Sequence, residues 1–253
     1  MIRKSQRSQA LDIAGQKAAF DAACKRLLAD KNILAQIMKS CIPEYQQCTI
    51  DDIIKKYIEG HPCIGQENVH QDEAPERIRG LNTEDKTMTE GTIFYDIRFE
   101  ALAPSSEEMI SLIINIEAQN DFYPGYPLIK RGIYYCSRMI SAQYGTEFSA
   151  SDYGSIKKVY SVWICTSPPK SRENTINRYS WSEECLIGNA AEEKRNYDLM
   201  SAIMICLGKE QDEAHGGILR LLKVLLSSER RADEKLQILQ DEYHIPMALS
   251  FEL

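Results

Sequence analysis

The stretch that decides the fold is residues 93–120, which read IFYDIRFEALAPSSEEMISLIINIEAQN. Residues 92–102 and 109–118 are rich in β-branched and aromatic side chains, which favour strands. Between them, residues 103–108 form a short segment with proline, serine and glutamate that is typical of a turn. Two strands joined in this way predict a β-hairpin.

Each strand of this hairpin carries a carboxylate inside an otherwise apolar or aromatic run. Because side chains alternate between the faces of a strand, Asp96 shares its face with Arg98, and Glu117 shares its face with Gln119. A carboxylate on a half-buried sheet is costly unless it is paired or bound to a metal ion. Two interpretations stay open: both acids face solvent and Arg98 pairs with Glu117 across the strands, or both bind Mg²⁺ or Mn²⁺.

Periodic apolar patterns predict helices on both sides of the hairpin. Asp30 and Thr49 are suitable N-caps for two helices near the start of the chain. The other predicted elements are a helix at residues 31–42, a strand at residues 77–81, a helix at residues 128–143, a strand at residues 159–165, a strand or buried helix at residues 199–207, and helices at residues 218–227 and 232–243. This order predicts an α/β or α+β core with a mixed central sheet.

The predicted elements divide the chain into three segments. Residues 1–60 form an N-terminal helical segment that packs on the core, residues 61–210 form the core itself, and residues 211–253 form a C-terminal helical hairpin. The helices therefore extend a central α/β unit at both ends.

Composition excludes several classes of protein. The chain has 253 residues with 43% hydrophobic and 26% charged side chains, which excludes a disordered, collagen-like or coiled-coil protein. The formal net charge of −7 argues against a histone-like coat but leaves room for a nucleic-acid enzyme, because binding depends on a local basic patch. No run reaches the about 18 apolar residues of a membrane span, and no secretory signal is recognisable. We therefore expect a cytoplasmic protein without a membrane partner.

The eight cysteines are scattered and include no C-x-x-C pair. This pattern predicts reduced and mostly buried thiols. A zinc site at His61, Cys63 and His70 is the alternative, but it lacks the two clean ligand pairs that are typical of structural zinc.

Two stretches carry a resemblance to a known family, YDIRF at residues 95–99 and LIINIEAQNDFYPGYPLIKRGIYYCSRMISAQYGTEF at residues 112–148. Asp96, followed across the hairpin by Glu117-Ala118-Gln119, resembles the D…(D/E)-x-K signature of the PD-(D/E)XK nuclease superfamily. The longer stretch resembles the recombination-promoting nuclease (Rpn) and transposase branch, which typically has glutamine where the superfamily has lysine. The resemblance is strongest over residues 76–168 and weaker toward the C-terminal helices.

The resemblance implies a restriction-endonuclease-like core with helix–strand–strand–strand–helix–strand topology. It also implies a Mg²⁺-dependent or Mn²⁺-dependent endonuclease that hydrolyses phosphodiester bonds of double-stranded DNA. In such an enzyme Asp96 and Glu117 bind the metal ion, and Gln119 positions the nucleophilic water. These folds usually bring a further acid from the first helix, for which Glu44 is the candidate, and Asp51 and Glu76 compete with it.

The predicted helix after the motif supplies positive charge that the chain as a whole lacks. Lys130, Arg131, Tyr135 and Arg138 are candidates for nucleic-acid binding, and the last three share a helix face that can contact phosphates. Lys157 and Lys158 are expected to be solvated surface charges. Cutting of both DNA strands by one active site per chain would favour a two-fold homodimer.

Two alternatives to a recombination-type nuclease stay open. The first is a catalytically silent member of the same fold that acts as a protein-binding or inhibitory module through an acidic surface. A DNA-cleavage assay with and without Mg²⁺ separates it from an enzyme. The second is a nuclease effector of the toxin or anti-phage type, which shares the chemistry and differs only in a cellular assay.

Overall fold

The computed structural model describes residues 23–58, 60, 62–64, 84–87, 91–94, 97–104, 109–115, 122–209 and 216–246. This part of the chain has a mixed α/β fold, as the sequence predicts. Its strands are β1 Cys63–Ile64, β2 Glu84–Thr87, β3 Gly91–Phe94, β4 Ile97–Leu102, β5 Met109–Asn115, β6 Val159–Cys165, β7 Thr175–Ser180 and β8 Met200–Cys206. Its longer helices are α1 Lys31–Cys41, α2 Leu128–Ser141, α3 Gly217–Leu226 and α4 Ala232–Tyr243.

Within the described residues, the main sheet is six-stranded and mixed, with the order β1-β4-β5-β6-β8-β7. Strands β4 and β5 form the predicted antiparallel hairpin, and β1 pairs antiparallel with β4. Strands β5, β6 and β8 are parallel to one another, and β7 closes the far edge antiparallel to β8. The helix α2 therefore serves as the crossover that parallel β5 and β6 require.

The prediction of one continuous strand at residues 92–102 is wrong. β3 pairs with β2 in a separate two-stranded sheet, whereas β4 pairs with β1 and β5 in the main sheet. The chain thus changes from one sheet to the other between β3 and β4. A continuous run of β-prone residues cannot indicate such a change. Residues 95–96 between these strands, and the predicted strand at residues 77–81, lie outside the described residues.

Burial along β4 follows the alternation that the sequence predicts. Ile97, Phe99 and Ala101 are buried, whereas the intervening side chains are only partly covered. Strand β5 is described from Met109 to Asn115, so the end of the predicted strand at residues 109–118 lies outside the described residues. One face of β4 therefore belongs to the hydrophobic core.

The predicted caps begin the helices near the start of the chain. The Asp30 carboxylate accepts a hydrogen bond of 2.8 Å from the Asn32 backbone N–H at the beginning of α1. The Thr49 hydroxyl accepts one of 3.1 Å from the Asp52 backbone N–H. The second helix consists of a single α turn that passes into a π turn at Ile53–Tyr57. The following Ile58 forms a β-bridge with Ala101 of β4, which takes the backbone out of the helix.

Helices cover both faces of the sheet. On one face, side chains of α1, α3 and α4 form a hydrophobic core with alternate residues of β4, β6 and β8. On the other face, α2 packs on the remaining residues of β6 and β8 around Trp163. The apolar run at residues 199–207 is therefore strand β8, since a strand buried on both faces needs no polar alternation.

The three predicted segments all contribute to the first of these cores. Ile37 of α1, Tyr160 of β6 and Leu222 of α3 are fully buried members of the same cluster. The boundaries near residues 60 and 210 stay a prediction about the sequence, and the described side chains pack across them. None of the described helices has the length and apolar character needed to cross a membrane.

No disulfide joins the cysteines whose side chains the structure describes. Cys24, Cys41, Cys136, Cys165 and Cys206 are buried, as the sequence predicts, while Cys185 is exposed. Burial raises the pKa of both Cys41 and Cys136 to about 12, so these two thiols stay protonated near neutral pH. The alternative zinc site is untested, because His61, His70 and the Cys63 side chain lie outside the description.

Replacement of Leu222 by alanine tests whether α3 is an integral part of the core. Leu222 is fully buried, so Leu222→Ala should lower the free energy of unfolding by about 2–5 kcal/mol, measured by urea denaturation. The matched control is Ile187→Ala, because Ile187 is exposed and its loss should change stability by less than about 0.5 kcal/mol. Equal midpoints for the two variants would contradict the assignment of α3 to the core.

Candidate functional site

The predicted metal-binding residues Asp96 and Glu117, together with Gln119, lie outside the described residues. Their described neighbours in the sequence mark one end of the hairpin. Ile97, which follows Asp96, pairs with Ile114, and Asn115, two residues before Glu117, pairs with Trp163 of β6. We call this region the carboxyl end of β5. Ile97 and Asn115 are the described residues nearest in the sequence to Asp96 and Glu117.

Helix α2 lies close to β6 and β8 because it carries a glycine against the sheet. A Cβ atom at Gly132 would lie 3.1 Å from Nε1 of Trp163 and 3.4 Å from Cβ of Ala202. A larger residue would push the helix away from β6 and β8, since backbone and neighbouring side chains could not both keep their positions. The glycine therefore brings α2 close enough to the sheet for the adjacent Arg131 to lie over the ring of Trp163.

Arg131 is positioned by two aromatic rings. Its guanidinium carbon lies 5.3 Å from the ring centre of Tyr135 and 5.5 Å from that of Trp163. Its Nε and Nη2 atoms donate hydrogen bonds of 3.0 and 2.9 Å to the Tyr135 hydroxyl. Because Trp163 is the register partner of Asn115, these contacts put a cationic group against the strand that pairs with the carboxyl end of β5.

The other predicted nucleic-acid contacts divide between the two sides of α2. Lys130 is exposed, as a phosphate contact requires. Tyr135 is buried beside Trp163, with ring centres 5.4 Å apart, so its role is to support Arg131. Arg138 is only 3% exposed, and its Nη1 donates a hydrogen bond of 3.3 Å to the Tyr134 hydroxyl. Of the predicted face of three contacts, Tyr135 and Arg138 are therefore turned toward the sheet, and Arg131 stays partly exposed.

Glu44 does not lie at the carboxyl end of β5. Its carboxylate accepts hydrogen bonds from the Tyr160 hydroxyl at 2.6 Å and from Nζ of Lys158 at 3.0 Å. The next residue, Tyr45, donates a hydrogen bond of 2.9 Å to the carbonyl of Leu102, at the opposite end of β4 from Ile97. Five residue steps along a strand span about 17 Å, so Glu44 does not lie close to Ile97. The predicted third metal ligand is therefore corrected to a member of an ion-pair cluster.

The other two candidates for a third acid are no better placed. Asp51 forms a surface ion pair of 2.6 Å with Lys55, one helical turn away. Glu76 lies outside the described residues. Of the three candidate acids, Glu44 and Asp51 thus have ion-pair partners elsewhere in the described structure.

The cluster around Glu44 joins distant parts of the sequence. Lys158, at the start of β6, binds both Glu44 and Asp198, the latter at 2.8 Å. The sequence predicts a solvated Lys158, and this prediction is wrong because Lys158 pairs with these two carboxylates. Both of them lie far from Lys158 in the sequence, so no local pattern could indicate the pairing. Burial by itself raises the pKa of Glu44, but the Tyr160 hydrogen bond and the Lys158 charge outweigh it and lower this pKa below its usual value. Burial raises the pKa of Tyr160, and the Glu44 charge raises it further.

Replacement of Glu44 by glutamine tests this structural role. A carboxylate with a lowered pKa stabilises the fold above its unfolded-state pKa, and that stabilisation is lost as the pH falls through the folded-state pKa. Glu44→Gln should therefore cost about 1–3 kcal/mol at pH 7 and progressively less below about pH 4.5. Urea denaturation across a pH series measures the difference between the two proteins. A constant difference down to acid pH would contradict the ionised cluster.

The described residues do not by themselves form a metal site. Among the residues that the structure describes, no three or more histidine, cysteine, aspartate or glutamate side chains lie together in a way that could hold a metal ion. Comparisons of the chain with models of known families, with curated proteins and with solved structures found no match. A function for this chain therefore has to be argued from its own residues.

Proposed function

We propose that this chain is a Mg²⁺-dependent or Mn²⁺-dependent DNA endonuclease of the PD-(D/E)XK type, related to the recombination-promoting nuclease and transposase branch. The observation that carries the proposal is the contact of Arg131 with the ring of Trp163, whose register partner on β5 is Asn115, two residues before Glu117 in the sequence. A cation beside two carboxylates is what phosphodiester hydrolysis needs, because the phosphate and the metal-binding acids must meet at one place. Within the region described, Arg131 supplies the cation.

The order of elements also supports the proposal. The chain runs from α1 through β1 and the β4–β5 hairpin to α2, and then to β6, which is parallel to β5. When β2 and β3, which lie between β1 and β4 in the chain and form a separate sheet, are set aside, this order matches the helix–strand–strand–strand–helix–strand topology that the sequence resemblance implies. Other α/β folds share parts of this order, so the residues carry the functional argument.

The proposed roles follow from the chemistry of each side chain. Asp96 and Glu117 provide carboxylate oxygens, which suit a hard divalent cation and leave coordination positions for water and phosphate. When bound there, such an ion would activate a water molecule and stabilise the negative charge that develops at phosphorus. Gln119 carries no charge and is no strong base, so its amide orients the attacking water or the phosphate by hydrogen bonding. Arg131 binds phosphate oxygens through its planar guanidinium.

The proposed activity is tested by replacing the two carboxylates. Purified protein should nick or cut duplex plasmid DNA with Mg²⁺ or Mn²⁺, and EDTA should abolish the cleavage. Asp96→Ala and Glu117→Ala should each reduce the rate at least about a hundredfold, because each removes a metal ligand whose charge the transition state requires. Gel analysis of supercoiled, nicked and linear plasmid measures the rate.

The matched control is Asp51→Ala, which removes an exposed carboxylate whose contact is a surface ion pair with Lys55. It should cut at the wild-type rate. Thermal melting of all variants checks that the fold persists. Wild-type cleavage by either Asp96→Ala or Glu117→Ala would exclude the proposed site.

Replacement of Arg131 by alanine tests the phosphate contact. Arg131→Ala should weaken binding to duplex DNA of every sequence and lower the slope of log K against log salt by about one. Fluorescence anisotropy in EDTA, over a series of salt concentrations, measures the slope without cleavage. The control is Lys157→Ala, since Lys157 pairs with Glu147 and lies just before the amino end of β6. Identical slopes for Arg131→Ala and wild type would remove Arg131 from the interface.

A catalytically silent, protein-binding module is the second candidate function. It is favoured by the segment after β7, where Trp181, Leu186 and Ile187 are large, apolar and exposed. Exposed apolar side chains grouped in one segment are typical of binding surfaces for other proteins. Absence of cleavage by the pure wild-type protein under all metal conditions would favour this candidate over the nuclease.

A further inference from the structure

Three tyrosines are exposed on and just before the first half of α2. Tyr123, Tyr126 and Tyr134 expose 55%, 39% and 45% of their surface. None of them is needed to fill the core around Trp163, whose members on α2 are Leu128, Tyr135, Cys136 and Met139. Large aromatic side chains left in water at one place mark a surface that binds a ligand with flat apolar groups.

The charge of this region selects the kind of ligand. Residues 122–146 contain Lys130, Arg131 and Arg138 and no acidic residue, although the whole chain has a net charge of −7. Lys130 and Tyr134 are four residues apart on α2 and so lie on the same helix face. A ligand that matches this surface carries negative charge together with flat apolar rings, as a nucleic acid with unpaired bases does.

The backbone before α2 holds the ring of Tyr123 in a defined arrangement. Gly125 adopts a φ of +88°, and its N–H donates a hydrogen bond of 2.7 Å to the carbonyl of Tyr123. The ring of Phe122, which packs against the core around Trp163, meets the ring of Tyr123 edge to face at 4.9 Å. Rings that are already ordered lose little conformational entropy when a base stacks on them.

The position of the tyrosines relates them to the proposed nuclease site. Because α2 connects parallel strands β5 and β6, it begins at the carboxyl end of β5 and runs back along the sheet. Tyr123 and Tyr126 precede its first residue, and Arg131 lies one turn into the helix. The exposed tyrosines are therefore near the end of the sheet from which Glu117 follows in the sequence.

We propose that Tyr123, Tyr126 and Tyr134, with Lys130, form a stacking surface for unpaired bases of single-stranded DNA beside the nuclease site. The choice of DNA rests on the proposed function, whereas stacking rests on the exposed rings and the local charge. Single-stranded DNA, frayed ends and unpaired loops are thus the substrates that this surface favours over continuous duplex. Stacking is sequence-tolerant, because every base has an aromatic face.

The test distinguishes binding to the bases of the ligand from binding to its phosphates. Anisotropy in EDTA compares a fluorescent oligothymidylate of twenty nucleotides with an abasic oligonucleotide of the same length and charge, and with a duplex. The wild type should bind oligothymidylate more tightly than either of the others. Tyr126→Leu with Tyr134→Leu should reduce the affinity for oligothymidylate at least about tenfold and leave that for the abasic strand unchanged.

The control is the double variant Tyr144→Leu with Tyr153→Leu, which removes two exposed tyrosines beyond the end of α2. It should retain the wild-type preference for oligothymidylate. A wild type that binds the abasic strand or the duplex as tightly as oligothymidylate would overturn the proposal. The same conclusion would follow if the two double variants lost equal affinity.

The binding measurement is independent of catalysis. A persistent, tyrosine-dependent preference for oligothymidylate without any plasmid cleavage would support the stacking surface and contradict the nuclease. Cleavage that depends on Asp96, without any tyrosine-dependent preference, would support the nuclease and overturn the stacking surface.

Discussion

Burial of two parallel strands on both of their faces is the constraint on which the rest of the structure depends. Every residue of β6 is buried, and β8 is buried along nearly its whole length. The apolar side chains on both faces of such strands are shielded from water only when helices cover the sheet on each side. One side recruits α1, α3 and α4, and the other recruits α2, so the three-layer arrangement follows from these two strands.

The same constraint determines what lies beside the carboxyl end of β5. Trp163 fills the side of the sheet that α2 covers, and its indole N–H donates a hydrogen bond of 2.8 Å to the Ser161 hydroxyl, which satisfies two buried polar groups. Gly132 permits a close approach of the helix to that ring. Arg131 then lies over an aromatic surface, where a guanidinium keeps its charge and its geometry. The candidate phosphate contact is thus a product of core packing.

Charged side chains elsewhere in the protein stabilise the fold. The cluster of Glu44, Lys158, Asp198 and Tyr160 joins a 3₁₀ turn, the start of β6 and the loop before β8. Each charged member has an oppositely charged or hydrogen-bonding partner, which offsets the desolvation that partial burial imposes. The acid that the first helical region contributes is therefore committed to structure, and the proposed metal site relies on Asp96, directly before β4 in the sequence, and on Glu117, two residues after β5.

The sequence by itself determined the type and approximate limits of most described elements, because the patterns involved are local. Asp30 and Thr49 act as caps through bonds to residues two or three positions away, and β4 alternates because successive side chains point to opposite faces. The sequence also offered Arg131 as a candidate, because it lies near the motif, and its role in binding stays a prediction. It could not predict that α2 presents Arg138 to the interior, since the direction of a helix face depends on which strands it packs against.

Only the tertiary structure decided how the ladders pair and where the long-range charges meet. Residues 92–102 have uniform β propensity, yet their described strands belong to two sheets, because propensity does not specify a pairing partner. Glu44 and Lys158 lie far apart in the sequence, so no local pattern could indicate their ion pair. Long-range contacts are selected by the free energy of the whole packed core, and this is why they require the folded chain.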